Sequence, residues 1–443
     1  MKVIVIGGVA AGMSAASKLR RLSPEAEIVV YEKGSFLSYG ACGLPYFVGG
    51  FNDDPNLLIA RTYQQFQQMG IQAKLHHEVL SVDADRRVIT VKNHDSGEIF
   101  EDTYDQLMVA TGCRSVAPKI PGTDLASVFF LHSMEDGLLL KQIAALPDIT
   151  HAAIIGGGYV GVEMAEALIH LGKAVTLIEA GERILSSFEM EFSELAAQEL
   201  ERNGVTVKVN SPASEIVEAG DHREIRIPSG VVRADVVIVA AGVVPNTDFL
   251  RPTGVRMARN GALIVDREMR TTLPNVFAAG DCATVYHRTA GEDYFIPLGT
   301  NANKCGRIAG ENLAGGHARY VGTMGTAAIK VCGMEMARCG LSEKDAKRLG
   351  IPYQTGFVTS YDHALYYPGA TKLYIKLIYE KHTRRLLGAN IAGAKNAVLR
   401  GDVLAMAVHT GMTTEELGMV DLAYAPPFAG VWDAVHIAAN AAK

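Results

Sequence analysis

The amino-acid sequence predicts an α/β protein with two Rossmann-like units and a C-terminal α+β segment. Three observations carry that expectation. An apolar stretch runs into a Gly-rich turn at Gly7 and on into a helical pattern. The same arrangement recurs at Gly156, and beyond about residue 322 no third copy appears. Each copy reads as a βαβ unit, which implies parallel sheets, and the pair reads as an internal duplication.

The first unit opens with a buried strand, Lys2 to Ile6, followed by the turn, a helix to Arg21 and the strand EIVVYE ending at Glu32. The N-terminus has the small residues of a signal peptide, but the acidic-ended strand at the right distance favours the strand–turn–helix reading. RRVITVK and the buried run LMVATG follow as strands. The second unit is HAAIIGGGYVG, a helix through His170 and AVTLIE ending at Glu179, closed by DVVIVAAG. NVFAAGDCA is a third apolar strand, running into Gly280 and Asp281. After residue 322, TKLYIKLIYE reads as strand and DVLAMAVHTG as helix.

Composition bounds the function classes. The chain has 443 residues, 48% hydrophobic and 20% charged, enough for sizeable cores and too apolar for disorder. A net charge of −6 excludes a nucleic-acid footprint, and no apolar run is long enough to span a membrane. Cys42, Cys113, Cys282, Cys305, Cys332 and Cys339 are mostly isolated, which argues against a secreted disulfide framework and for a cytoplasmic protein. No H-E-x-x-H or C-x-x-C pattern suggests a metal.

Gly156, Gly158 and Gly161 complete G-x-G-x-x-G. The first makes the tight turn, the second admits a pyrophosphate, and the third lets the helix pack on the strand. Glu179, placed to accept a ribose 2′-hydroxyl, favours NADH, while Arg183 keeps NADPH open. In the first turn Gly7 and Gly12 hold the outer positions, Val9 takes the middle one, and Glu32 supplies the acidic residue. A second dinucleotide is expected there, with FAD the natural candidate. Asp281 is then placed for a ribityl hydroxyl, or it simply caps a helix.

Cys42 lies in SYGACGLPY. Either it is a buried structural thiol, or it works alone through a mixed disulfide or a sulfenic acid, since no second cysteine lies near it in sequence. As a nucleophile it needs a lowered pKa.

On GGVAAG, SYGACGLPY, ATG, GGGYVG with Glu179, AAGVVPN, the VFAAGD segment and LAYAPPF, the whole chain resembles the single-cysteine branch of the pyridine nucleotide–disulfide oxidoreductases. The resemblance implies an FAD domain (1–115 and 242–321) interrupted by an NAD(P) domain (116–241), then a dimerisation domain (322–443). It also implies a homodimer with active sites shared across the interface. The FAD positions carried over are Gly7, Gly12, Glu32, Lys33, Thr111, Gly112, Gly280 and Asp281; those for NAD are Gly156, Gly158, Gly161, Glu179 and Gly242.

Within the branch the motifs are most similar to coenzyme A-disulfide reductases. Ala10 and Ala11 stand where oxidases and peroxidases of the family carry a His. ALYYPG and LAYAPPF match segments that bring tyrosines to the partner's cysteine, here Tyr366 or Tyr367, and Tyr424. Ser14, Lys18, Arg21, Ser38 and Asn303 match positions on the substrate side. The first three lie on one helical face, where Lys18 and Arg21 are expected to meet coenzyme A phosphates or else form a solvated basic face. Ala41 departs from the Asn common in these reductases, which bears on coenzyme A specificity. The chain ends soon after LAYAPPF, so the rhodanese domain appended in some relatives is not expected. The implied activity is NAD(P)H-dependent reduction of coenzyme A disulfide or a related persulfide or polysulfide. The rivals are an NADH oxidase or peroxidase using a Cys42 sulfenic acid, and a low-turnover flavoprotein redox sensor.

Overall fold

The computed structural model describes residues 1–442. Its first sheet is parallel, with strands ordered Val276–Ala278, Gln106–Val109, Lys2–Ile6, Glu27–Tyr31, Ile71–Lys74. The second is also parallel and has the equivalent order Val128–Phe130, Val236–Val239, His151–Ile155, Ala174–Ile178, Val205–Lys208. The central strands of both are continuous apolar runs, as burial on two faces requires; Val3, Ile4, Ala153 and Ile154 have no exposed surface. The outer strand Val276–Ala278 comes from beyond the second sheet, so the first sheet is completed only after the second is built.

The duplication extends past the motifs. Each unit carries a three-stranded antiparallel sheet before its closing strand: His77–Asp83, Val88–Asn93 and Ile99–Thr103 in one, Glu215–Ala219, His222–Ile227 and Gly230–Ala234 in the other. Each also ties its first strand with an aspartate. Asp105 accepts from the Lys2 N–H at 2.6 Å, and Asp235 accepts from the Thr150 and His151 N–H groups at 2.7 and 2.8 Å.

The C-terminal part is a five-stranded antiparallel sheet, ordered Ala327–Val331, Met334–Gly340, Leu386–Gly393, Lys372–Glu380, Tyr353–Tyr361. Helices Ala397–Thr410 and Ala434–Ala441 pack against it. It is joined to the second unit by ion pairs. Glu166 meets Lys330, and the buried Lys376 lies 3.5 Å from Glu189 and 2.8 Å from Glu191, with Glu343 of its own part at 2.5 Å.

Two close approaches assemble the site. Helix Gly299–Leu313 crosses the first helix, Ala10–Leu22, at Gly306 and Gly310. A β-carbon at either would stand 2.4 Å from a backbone oxygen, of Ala11 or Ala15. Gly49 lies against Ala167, so the chain after Cys42 sits directly on helix Tyr159–His170. Among the described residues no helix is long and apolar enough to cross a membrane.

Candidate active site

The two Gly turns are built alike. Gly7 and Gly156 have φ of +101° and +114°, and a β-carbon on either would lie 2.2 or 2.3 Å from the carbonyl oxygen of Ala110 or Ala240. Gly12 and Gly161 face the oxygens of Gly7 and Gly156 at 1.9 Å on the same construction. Glu32 accepts from the N–H groups of Gly8 and Gly34, both at 2.7 Å; Glu179 accepts from Gly157 and Gly181 at 2.7 and 2.6 Å. Both carboxylates therefore stand at the edge of their turns, where a ribose would lie. Around Gly158 an added β-carbon meets nothing within 4 Å, leaving open space over the N-terminus of its helix. Gly242 follows the strand that closes this unit, and its carbonyl accepts from Val116 at 2.8 Å. Arg183 turns away, donating to the Ser186 carbonyl at 3.3 Å and lying 3.9 Å from Glu182.

The residues of the first unit fit FAD. A cavity of about 270 Å³ is lined by Gly7, Glu32, Lys33, Thr111 and Arg114, with His77 and Val79 on its far wall. Asn246 fixes the Thr111 side: its amide donates to the carbonyls of Thr111 and Cys113, and its backbone N–H donates to Gly112 at 3.0 Å. Gly280, at φ +84°, packs on Ala11 and turns the chain into Asp281. The Asp281 carboxyl is largely enclosed, and burial raises its pKa. The side-chain donor it meets is the weak Cys113 thiol at 3.8 Å, so an acceptor is left for a ligand hydroxyl.

Cys42 sits in a single 3-10 turn, Ala41–Gly43, leading into Leu44–Val48 with Pro45 near its start. The chain leading into the turn is pinned. Ser38, at φ +49°, donates its N–H to Gly8 and accepts from Ala60, while Gly40 donates to Leu58. Cys42 is exposed, whereas Cys113, Cys282, Cys305 and Cys339 are buried. Within the single chain its thiol pKa is shifted upward, opposite to the lowered value expected of a nucleophile. Desolvation raises it, and the negative charges of Glu163 and Asp281 add to the effect. Within this chain the surroundings favour the neutral thiol.

Glu163 has no motif to announce it. It lies on helix Tyr159–His170, brought to Tyr46 by the Gly49–Ala167 approach. Burial raises its carboxyl to about 7, against a hydrogen bond from Tyr46 that lowers it. Tyr46 in turn is pushed to about 12 by burial and by Glu163.

A second cavity, of about 350 Å³, opens beside Ser38–Gly40, two residues from Cys42. Ser14, Arg21 and Asn303 line it, with Arg61 and Arg307. Ser14 donates to Asn303 at 2.8 Å, a contact made by the crossing of the two helices. Lys18 differs from its expected position: it pairs with Glu311 at 2.9 Å, and Ser17 takes the place on the cavity wall. Ser17 accepts from Arg61 at 3.2 Å. Arg61 and Arg307 went unnoticed in the sequence because each comes from a separate element with no local pattern.

The tyrosines make two kinds of contact. Tyr366 and Tyr424 meet hydroxyl to hydroxyl at 3.0 Å, both exposed. Tyr367 packs its ring edge-on against His363, which pairs with Asp362 at 3.1 Å. Among the described residues none of the three is hydrogen-bonded to Cys42 of the same chain. Leu365, Phe428, Val431 and Trp432 extend the same exposed apolar surface. No metal-binding cluster occurs among the described residues.

Known proteins match throughout. Residues 1–302 match the family model described as pyridine nucleotide-disulphide oxidoreductase, and residues 326–435 match its dimerisation domain. An NAD(P)H sulfur oxidoreductase (CoA-dependent) of Pyrococcus abyssi is 36% identical over 100% of this chain and 98% of its own. The solved structure of an NAD-dependent persulfide reductase from A. fulgidus is 36% identical, with a TM-score of 0.95 over 99% of this chain and 82% of that one. Reduced Bacillus anthracis CoADR-RHD is 33% identical, with a TM-score of 0.96 over 99% of this chain and 79% of that one.

Proposed function

Since the chain belongs to the pyridine nucleotide-disulphide oxidoreductase family, we propose that it uses NAD(P)H and FAD to reduce coenzyme A disulfide, or a persulfide of coenzyme A, through Cys42 alone. It is an oxidoreductase with a C-terminal dimerisation domain. The observation that carries the substrate reading is the cavity beside Cys42: Arg21, Arg61 and Arg307 line it, and their charges suit a phosphate-bearing thiol. We place the domain boundaries near residues 115, 241 and 321.

FAD, when bound, supplies the two-electron relay from the pyridine nucleotide to the cysteine. Gly7, Gly12, Glu32, Lys33, Thr111, Gly112, Gly280 and Asp281 hold it. Gly156, Gly158, Gly161, Glu179 and Gly242 hold the nucleotide. The Cys42 thiolate attacks one sulfur of RSSR, forming Cys42–S–S–R and releasing RS⁻. Two electrons then cleave that bond, and one proton gives Cys42 thiolate and RSH. Arg21, Arg61, Arg307, Ser14, Ser38 and Asn303 hold R. Tyr366 and Tyr424 of the partner subunit supply the proton to the leaving sulfur. Their exposed hydroxyls and the surrounding apolar surface support that placement. Glu163, held by Tyr46, stores a proton near neutrality and limits the negative charge facing the thiolate.

Replacing Cys42 by Ser tests the reading. The variant is expected to keep bound flavin that NADH reduces at the wild-type rate, while turnover of coenzyme A disulfide falls by about three orders of magnitude or more. Retained turnover overturns it.

A further inference from the structure

Arg400 lies on the first turn of helix Ala397–Thr410, almost fully buried. A buried guanidinium must have its charge and its donors satisfied. Asp433 takes the charge, with both carboxylate oxygens 2.7–3.1 Å from Arg400 nitrogens. The guanidinium also reaches main-chain carbonyls: Nη2, shared with Asp433, lies 2.8 Å from that of Asp362 and 3.0 Å from that of Phe428, and Nη1 lies 3.5 Å from that of Asn396. The Asp362 and Phe428 carbonyls belong to the two separate loops that carry Tyr366 and Tyr424. The loops meet again where Ala364 donates to the Pro426 carbonyl at 3.4 Å.

Arg400 is itself held in place. Glu335 accepts from the N–H groups of Ala397 and Val398 at 2.9 and 3.3 Å, anchoring the helix start. Asp433 caps helix Ala434–Ala441 through the Val435 N–H at 2.9 Å. Asp362 closes its own loop by accepting from Thr371 at 2.6 Å. The two tyrosines are exposed and meet at their hydroxyl ends, so the separation of their loops bears directly on the 3.0 Å contact. Asp433 grips Nε and Nη2 and fixes the guanidinium plane, so Nη2 is presented to both loops at one orientation; an ammonium, a single point of charge on a flexible stem, is not held in that way.

We propose that Arg400 is a positioning residue for disulfide cleavage, holding the Tyr366 and Tyr424 loops in the register that presents the hydroxyl pair to the partner's site. The proposal rests on the reading that these tyrosines serve the partner subunit's cysteine. It adds a cause for their geometry, since neither loop belongs to a regular element that would set it.

The test is R400K, compared with Y424F and with the double variant R400K/Y424F, each as the flavin-loaded dimer. Flavin content, dimer mass and the rate of flavin reduction by NADH should be unchanged in R400K. The kcat for coenzyme A disulfide should fall about 10-fold, with KM little altered. Y424F should fall similarly, and the double variant should fall no further than Y424F, because Arg400 acts through the hydroxyl it positions. Wild-type kcat in R400K beside an impaired Y424F overturns the positioning role, as does a multiplicative loss in the double variant. Full turnover in Y424F instead overturns the tyrosine reading beneath it, and the proposal with it. Where R400K does not assemble, D433N keeps the helix cap and loosens the guanidinium. A reduced kcat with normal flavin reduction then supports the clamp, and an unchanged kcat overturns it.

Discussion

The turn at Gly7 and the turn at Gly156 are the same structure with one difference. In both, the outer glycines are demanded by the protein: Gly7 and Gly156 pass under a carbonyl of the neighbouring strand, and Gly12 and Gly161 lie on the oxygen of the turn's own first residue. The middle position differs, Val9 in one and Gly158 in the other. Gly158 is surrounded by open space, so nothing in the fold asks for a glycine there. A single sequence pattern therefore combines two requirements, one for packing and one for the approach of a ligand. The first turn lacks the middle glycine yet keeps every packing contact of the second.

The comparison breaks most visibly at the packing glycines. G12A and G161A should each destabilise the protein strongly, on the order of 3 kcal/mol by thermal or urea unfolding, because the clash is with backbone that cannot step aside. G158A should cost about 1 kcal/mol or less, the penalty of alanine at a helix start, while KM for NADH rises about 10-fold. Equal destabilisation at Gly158 and Gly161 would contradict the division.

A smaller effect separates the regions through Glu163, which the second unit lends to the cysteine of the first. Below about pH 7 its carboxyl is mostly protonated; above, it carries a charge that opposes the Cys42 thiolate. E163Q should leave iodoacetamide labelling of Cys42 unchanged at pH 6 and speed it about threefold at pH 8. Identical pH profiles would remove Glu163 from the site. The smallest effect expected is at Lys18. Its ion pair with Glu311 lies off the cavity wall, so K18A should change KM for coenzyme A disulfide less than about twofold, whereas R21A should raise it about 10-fold.

These contrasts also mark what the sequence made legible. Strand–turn–helix units are local, and the expected strand Lys2–Ile6 and the helix ending at His170 appear with those bounds. Asp281 and Asn303 come from beyond the second unit; the first stands in the VFAAGD motif and the second is carried over from the resemblance alone. What escaped was set by packing between distant segments. Glu163 reaches Tyr46 because Gly49 allows a close approach to Ala167, and Arg61 and Arg307 converge only after two helices cross. The surroundings of the thiol escaped for the same reason: besides desolvation, the carboxylates that raise its pKa within the chain, Glu163 and Asp281, are each more than a hundred residues from Cys42. Tyr366, not Tyr367, meets the Tyr424 hydroxyl, a contact that ALYYPG does not announce.

The central claim is that one cysteine carries the substrate thiol between half-reactions. Intact mass of the denatured, non-reduced protein after incubation with coenzyme A disulfide tests it most directly. The account predicts one coenzyme A per chain, removed by dithiothreitol and absent from C42S. An unmodified Cys42, or one bearing only oxygen, would contradict it.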